Sequence, residues 1–161
     1  MVVKKQKAFC KVKIVVDANI VFSGILNTNS KIADILMNSF SFFDFISPNF
    51  LRYEISKNYA KLVKISKLTL KQIKESEYQI LKNITFISEE NIEQIYWVNA
   101  EKIVMDVDPK DVTYVAYSEY FKCKLWSGDK KLIKRIRKKG FMNVISTDEL
   151  LIFRENMKGK N

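Results

Sequence analysis

Asp17, Asp111 and Asp129 are the side chains of this sequence best placed to do chemistry, because each falls where an apolar segment ends or a helix begins. Asp17 directly follows Val12 to Val16 (VKIVV), and Asp129 closes the run from Cys123 to Ser127 through Ser127-Gly128-Asp129. Asp111 lies one turn into a helix read from about Asp108 to Tyr120. Pro109 suits the first position of that helix, and Val112, Val115, Ala116 and Tyr120 recur at helical spacing. Taken singly, these acids have plain structural uses: Asp17, Asp108 and Asp129 as N-caps, Asp111 as a first-turn residue attracted by the helix dipole. Gathered at one edge they repel, which raises their pKa values and costs stability unless a cation lies between them. Oxygen-only ligation selects hard ions such as Mg²⁺ or Mn²⁺. Such an ion polarises a phosphoryl oxygen and activates a water for in-line attack on phosphorus.

What the chain lacks narrows the alternatives. It has no histidine, which removes Ser-His-Asp and Cys-His catalysis and zinc sites built on histidine. Cys10 and Cys123 lie far apart, and a secreted domain of 161 residues would not rest on one bridge. Reduced thiols in a cytoplasm are therefore expected. No signal-type apolar region opens the chain, and its longest apolar stretch, Ile14 to Leu26, is broken by Asp17, Asn19 and Gly24, so no membrane partner is expected. Lys and Arg number 28 against 18 Asp and Glu, a net charge of +10. That sign favours a polyanionic partner, although a nucleotide-biased genome yields the same richness in Lys, Ile and Asn.

The elements that must position the acids follow along the chain. The length and an apolar fraction of 47% suit one domain over 1–161, with a core of about 12–156 and basic tails at 1–11 and 157–161. VKIVV is a buried strand, and Ile20, Val21, Ile25 and Leu26 mark the helix after it. Lys31 to Asn38 is an amphipathic helix, Phe40 to Ile46 (FSFFDFI) an aromatic strand, and Ser47-Pro48-Asn49 opens a helix with proline in its first turn. Glu54 lies beside the apolar face of that helix, where a glutamate is most often a surface residue.

Lys57, Lys61, Lys64, Lys67, Lys71 and Lys74 continue at steps of three and four. A capping box at Thr69 to Gln72 favours two helices with a turn near Ser66 over one. The stripe is either a phosphate track or a solvated face. Ile84 to Ile87 is a strand, a helix starts at Ser88, and Asn143 to Ile145 is a last strand before a helix capped by Thr147-Asp148-Glu149. Strands alternating with helices predict an α/β fold on a parallel sheet, with Asp17 and Asp129 at one edge of it.

VVDANI with Asp17, SPNFLRYEI with Glu54, DPKDVTYVAYS with Asp111 and LWSGDKKL with Asp129 together resemble the PIN-domain nucleases, over about Val12 to Ile145. The resemblance implies a three-layer α/β/α sandwich with a short, mostly parallel sheet. It also implies Mg²⁺ or Mn²⁺ as cofactor and cleavage of single-stranded RNA by metal-activated water. Position by position, Asp17, Glu54, Asp111 and Asp129 match the family's acidic residues, with Asp17, Asp111 and Asp129 as metal ligands. Asn19, Asp108 and Ser127 match polar positions that support them.

Lys130 and Lys131 beside Asp129, and Lys57 and Lys61 from the stripe, are the RNA-contacting lysines of this reading. Small stand-alone members of the family include VapC-type toxins silenced by a short antitoxin, and others mature ribosomal or transfer RNA. The partners implied are RNA, a small antitoxin protein and a second copy in a homodimer. A basic RNA-binding module that keeps the fold without catalysis, and a phosphotransfer domain with an aspartyl nucleophile, are the other classes.

Overall fold

The computed structural model describes residues 10–160. Val12–Val16 (β1) is the central strand. Its β-branched side chains suit a strand covered on both faces, and Ile14, Val15 and Val16 are all fully buried. Phe43–Pro48 (β2), Ile84–Ile87 (β3), Lys124–Trp126 (β4) and Val144–Ile145 (β5) complete a sheet of order β3-β2-β1-β4-β5 in which every pairing is parallel. The registers Val15↔Ile46 and Val16↔Trp126 bring the carboxyl ends of β1, β2 and β4 level.

Strand alternation divides the core in two. Ile14, Val16, Phe43, Phe45 and Trp126 face one apolar cluster, and Val15, Ile46, Leu125 and Val144 face the other. The first is covered by Ala18–Leu26 (α1), Lys31–Asn38 (α2), Leu70–Leu81 (α5) and Thr147–Lys158 (α9), together with Phe50–Lys57 (α3) and Tyr59–Ser66 (α4). The second is covered by Gln94–Val104 (α6), Val112–Phe121 (α7) and Lys130–Lys138 (α8). The chain is thus the three-layer α/β/α sandwich expected. Among the described residues no helix is long and apolar enough to cross a membrane.

Several boundaries differ from the sequence reading, each for a local reason. The aromatic strand starts at Phe43 because the Ser39 carbonyl accepts from the Phe42 and Phe43 amides in a turn, leaving Phe40 57% exposed. Pro48 ends β2 opposite Ile87 instead of opening a helix, and α3 begins at Phe50. The lysine stripe is cut twice. Asn58 donates its side-chain amide to the Glu54 carbonyl at 2.7 Å and ends α3, and Lys67 ends α4 in the left-handed region at φ 61°. The six lysines therefore fall on α3, on α4 and its C-cap, and on α5, and not on one continuous helix.

Ser88 leads into a single 3-10 turn, Glu89–Asn91, and α6 starts only at Gln94. Pro109–Asp111 is likewise a 3-10 turn capped by Asp108, which makes Asp111 the residue at the N-cap of α7 instead of a residue inside its first turn. Ser146, not Thr147, caps α9 through a capping box with Glu149. The expected tail at 157–161 is helical through Lys158, and residues 1–9 and 161 of the tails lie outside the described residues.

Candidate active site

Sheet order decides where a ligand can enter. The strands run outward from β1 toward β3 on one side and from β4 toward β5 on the other, so the connections leaving β1 and β4 go to opposite faces of the sheet. Such a reversal opens a crevice beyond the strands' carboxyl ends. Asp17 leaves β1 into this crevice, and Ser127-Gly128-Asp129 leaves β4 beside it, with the Asp17 amide donating to the Trp126 carbonyl at 3.4 Å.

Asp17 is 3% exposed and caps α1, its Oδ1 accepting from the Ile20 amide at 2.9 Å. Burial is the main cause pushing its carboxyl from 3.8 up to about 6, with the Asp129 charge adding to the rise. The Ile20 and Asn19 amides and the Ser127 hydroxyl, which face it, pull the other way. Asp111 has no capping hydrogen bond of its own. Burial, then the charges of Asp17, Asp108 and Asp129, push it up to about 7, with Lys110 the largest opposing charge.

Asp129 is exposed and caps α8, Oδ1 accepting from the Lys131 and Leu132 amides at 2.9 and 3.0 Å. Ser127 is fully buried, and its Oγ accepts from the Asp129 amide at 3.2 Å. Asp108 accepts from the Lys110 amide at 3.0 Å. Ser47, at the end of β2, donates to the Val16 carbonyl at 3.0 Å and ties the third strand end to the same edge.

Glu54 is half-buried on α3, and Lys57 Nζ stands 3.9 Å from its Oε1. Lys57 also lies 5.0 Å over the Tyr53 ring. Asn19 is exposed and, with Lys61, lines a cavity of about 330 Å³ between α1 and α4 whose walls are Phe22, Leu26, Asn58, Leu62 and Ile65. Lys130 and Lys131 are exposed at the start of α8. Electrostatics thus joins Asp17, Asp108, Asp111 and Asp129 into one field. Glu54 shares the surroundings of Tyr114 with Asp17 and Asp111.

The donor set is suited to a hard cation. Among the described residues Asp17, Asp111 and Asp129 form no ion pair with Lys or Arg, so no direct ion pair offsets their repulsion. Among those same residues no three Asp, Glu or Cys side chains already stand in metal-holding positions. Binding an ion therefore requires the carboxylates to draw together, which their mutual repulsion opposes without one. The residue that sequence periodicity missed is Tyr114, buried at 4% exposure with a hydroxyl that has no hydrogen-bond partner. The available signal was its spacing of three from Asp111, which puts both on one side of a helix.

A family model described as "PIN domain" matches residues 15–144. No curated protein sequence matches the chain. Among solved structures, VapBC2 from Rickettsia felis bound to a DNA fragment from their promoter aligns with TM-score 0.63 at 13% identity, covering 84% of this chain and 97% of that one. PAE2754 from Pyrobaculum aerophilum aligns with TM-score 0.62 at 12% identity, covering 96% and 99%.

Proposed function

The chain belongs to the PIN-domain family, a family of nucleases, and on that premise we propose that it is a divalent-metal-dependent endoribonuclease that cleaves single-stranded RNA. The observation that supports this best is the shared field of Asp17 and Asp111. Two carboxyls from different elements hold protons up to about 6 and about 7 because both are buried and charged neighbours surround them, Asp129 beside Asp17 and Asp17, Asp108 and Asp129 beside Asp111, with Lys110 opposing the rise only at Asp111. Stability alone gives no reason to keep that repulsion.

Asp17, Asp111 and Asp129 would hold Mg²⁺ or Mn²⁺. When bound, the ion supplies Lewis acidity toward a phosphoryl oxygen and lowers the pKa of a water. The chain's own residues do the rest. Ile20 and the Ser127 hydroxyl orient Asp17, while the Lys131 and Leu132 amides orient Asp129. Glu54, half-buried on α3, would be a further ligand or would orient the attacking water. Asn19, Asp108 and Ser127 support the acids. Lys130, Lys131, Lys57 and Lys61 neutralise phosphates without reading bases.

The test is cleavage of single-stranded RNA with Mg²⁺ or Mn²⁺, with EDTA, and with Asp17→Asn. Cleavage that survives EDTA, or an Asp17→Asn protein as fast as the wild type, defeats the proposal. Binding that weakens with salt and ignores EDTA would instead mark a non-catalytic RNA-binding module.

Within this reading, the similarity to a VapBC2 structure favours a toxin role over RNA maturation. A short antitoxin segment would then cover the acidic edge, and the product of the adjacent upstream gene should co-purify with the chain and block cleavage. Cleavage unaffected by that product leaves RNA maturation as the role. A homodimer and a cytoplasmic location belong to the same proposal, and sedimentation of the purified chain tests the first.

A further inference from the structure

Tyr114 carries a polar group that lies outside the set of metal ligands. It is 4% exposed, and its ring meets Phe50 edge-on at 6.1 Å. Its hydroxyl has no hydrogen-bond partner, whereas Tyr117 on the same helix donates to the Ile87 carbonyl at 2.6 Å. The Ala18 amide lies near the Tyr114 oxygen without closing a bond. Burial, and the charges of Asp17, Asp111 and Glu54 around it, hold the phenol in its O–H form far above its usual range.

The buried hydroxyl is therefore a donor left without an acceptor. Ionised carboxylates can only accept, with lone pairs to spare on each oxygen. Asp111 and Tyr114 lie three apart at the start of α7, and Ala18, which follows Asp17 at the start of α1, packs against the same apolar cluster as Tyr114. Buried donors left without acceptors are few in native proteins and unfavourable. Here one faces the acids that an ion would draw together.

We propose that Tyr114 is a positioning residue for the cation: as the acids close on the ion, its hydroxyl donates to the Asp17 carboxylate oxygen that Ile20 does not hold, fixing which lone pairs face the metal. Hydrogen-bond partners behind metal ligands generally act in this way. The inference rests on the metal-dependent reading above.

The experiment is Mn²⁺ titration by calorimetry and electron paramagnetic resonance, with melting in EDTA, for the wild type, Tyr114→Phe, Tyr117→Phe and Asp111→Asn. Tyr114→Phe should weaken Mn²⁺ binding by about tenfold. It should melt in EDTA no lower than the wild type, because the deleted hydroxyl had no partner. Tyr117→Phe, which deletes a bonded hydroxyl, should melt lower and bind Mn²⁺ normally.

Equal Mn²⁺ affinity for Tyr114→Phe and wild type overturns the inference and leaves the nuclease reading standing. A Tyr114→Phe protein that loses several degrees in EDTA shows an ordinary structural bond and also overturns it. Should the wild type bind Mn²⁺ no better than Asp111→Asn, the metal reading fails and takes the inference with it.

Discussion

Asp17→Asn should make the ion-free protein more stable while abolishing the metal-dependent cleavage proposed for it. The folded chain binds the Asp17 proton more tightly than the unfolded chain does, because burial raises the carboxyl from 3.8 to about 6. Below pH 3.8 the group is neutral in both states and costs nothing. As pH rises through the interval from 3.8 to about 6, the unfolded chain ionises first and stability falls; above that interval the penalty is complete. A displacement of that size corresponds to about 3 kcal/mol at pH 8.

Asparagine keeps the N-cap to Ile20, since it caps as well as aspartate does. The variant should therefore gain most of that amount in EDTA at pH 8, a rise in Tm of roughly 5–10 °C for a chain of this size. At pH 4 the gain should nearly vanish. Neutralising Asp17 also relieves Asp111, so the gains from Asp17→Asn and Asp111→Asn should not add. The assay is thermal melting by circular dichroism at both pH values, in EDTA. A variant that melts no higher than the wild type at pH 8, or a gain of equal size at pH 4, refutes the reasoning that an uncompensated buried charge governs this edge.

Other outcomes can be checked with the same protein. Mn²⁺ affinity should fall as pH drops below about 7 and again below about 6, as protons reclaim Asp111 and then Asp17, by about tenfold per pH unit for each proton displaced; calorimetry at pH 5.5 and 8 measures it. Mn²⁺ at 100 times its Kd should stabilise the wild type by about 2.7 kcal/mol, and Asp111→Asn should lose most of that rise in Tm. Lys130→Ala combined with Lys131→Ala should lower the slope of log affinity against log salt for single-stranded RNA by about 0.7 for each phosphate no longer neutralised, without altering EDTA-treated stability. Ser127→Ala leaves the Asp129 amide without its acceptor and should cost about 1 kcal/mol in urea unfolding.

The strands and the starts of α1, α2, α5 and α8 were legible in the sequence, because these are local. The β-branched run of β1, the capping box at Thr69 and the caps at Asp17 and Asp129 each depend on residues a few positions apart. The sequence also supplied the acids themselves and, by lacking histidine, excluded any imidazole ligand. Where it misplaced an element, a longer-range or competing hydrogen bond intervened, as with Asn58 ending α3 or Pro48 completing β2 against Ile87.

The strand order, and with it the crevice between β1 and β4 that sets Asp17 beside Ser127 and Asp129, became visible in the tertiary structure. Only it showed that Asp111 and Asp17 repel each other, and that Tyr114 holds an unbonded hydroxyl among them. Periodicity and capping act over a few residues of chain, whereas burial and Coulomb repulsion depend on distances in space between segments far apart in sequence.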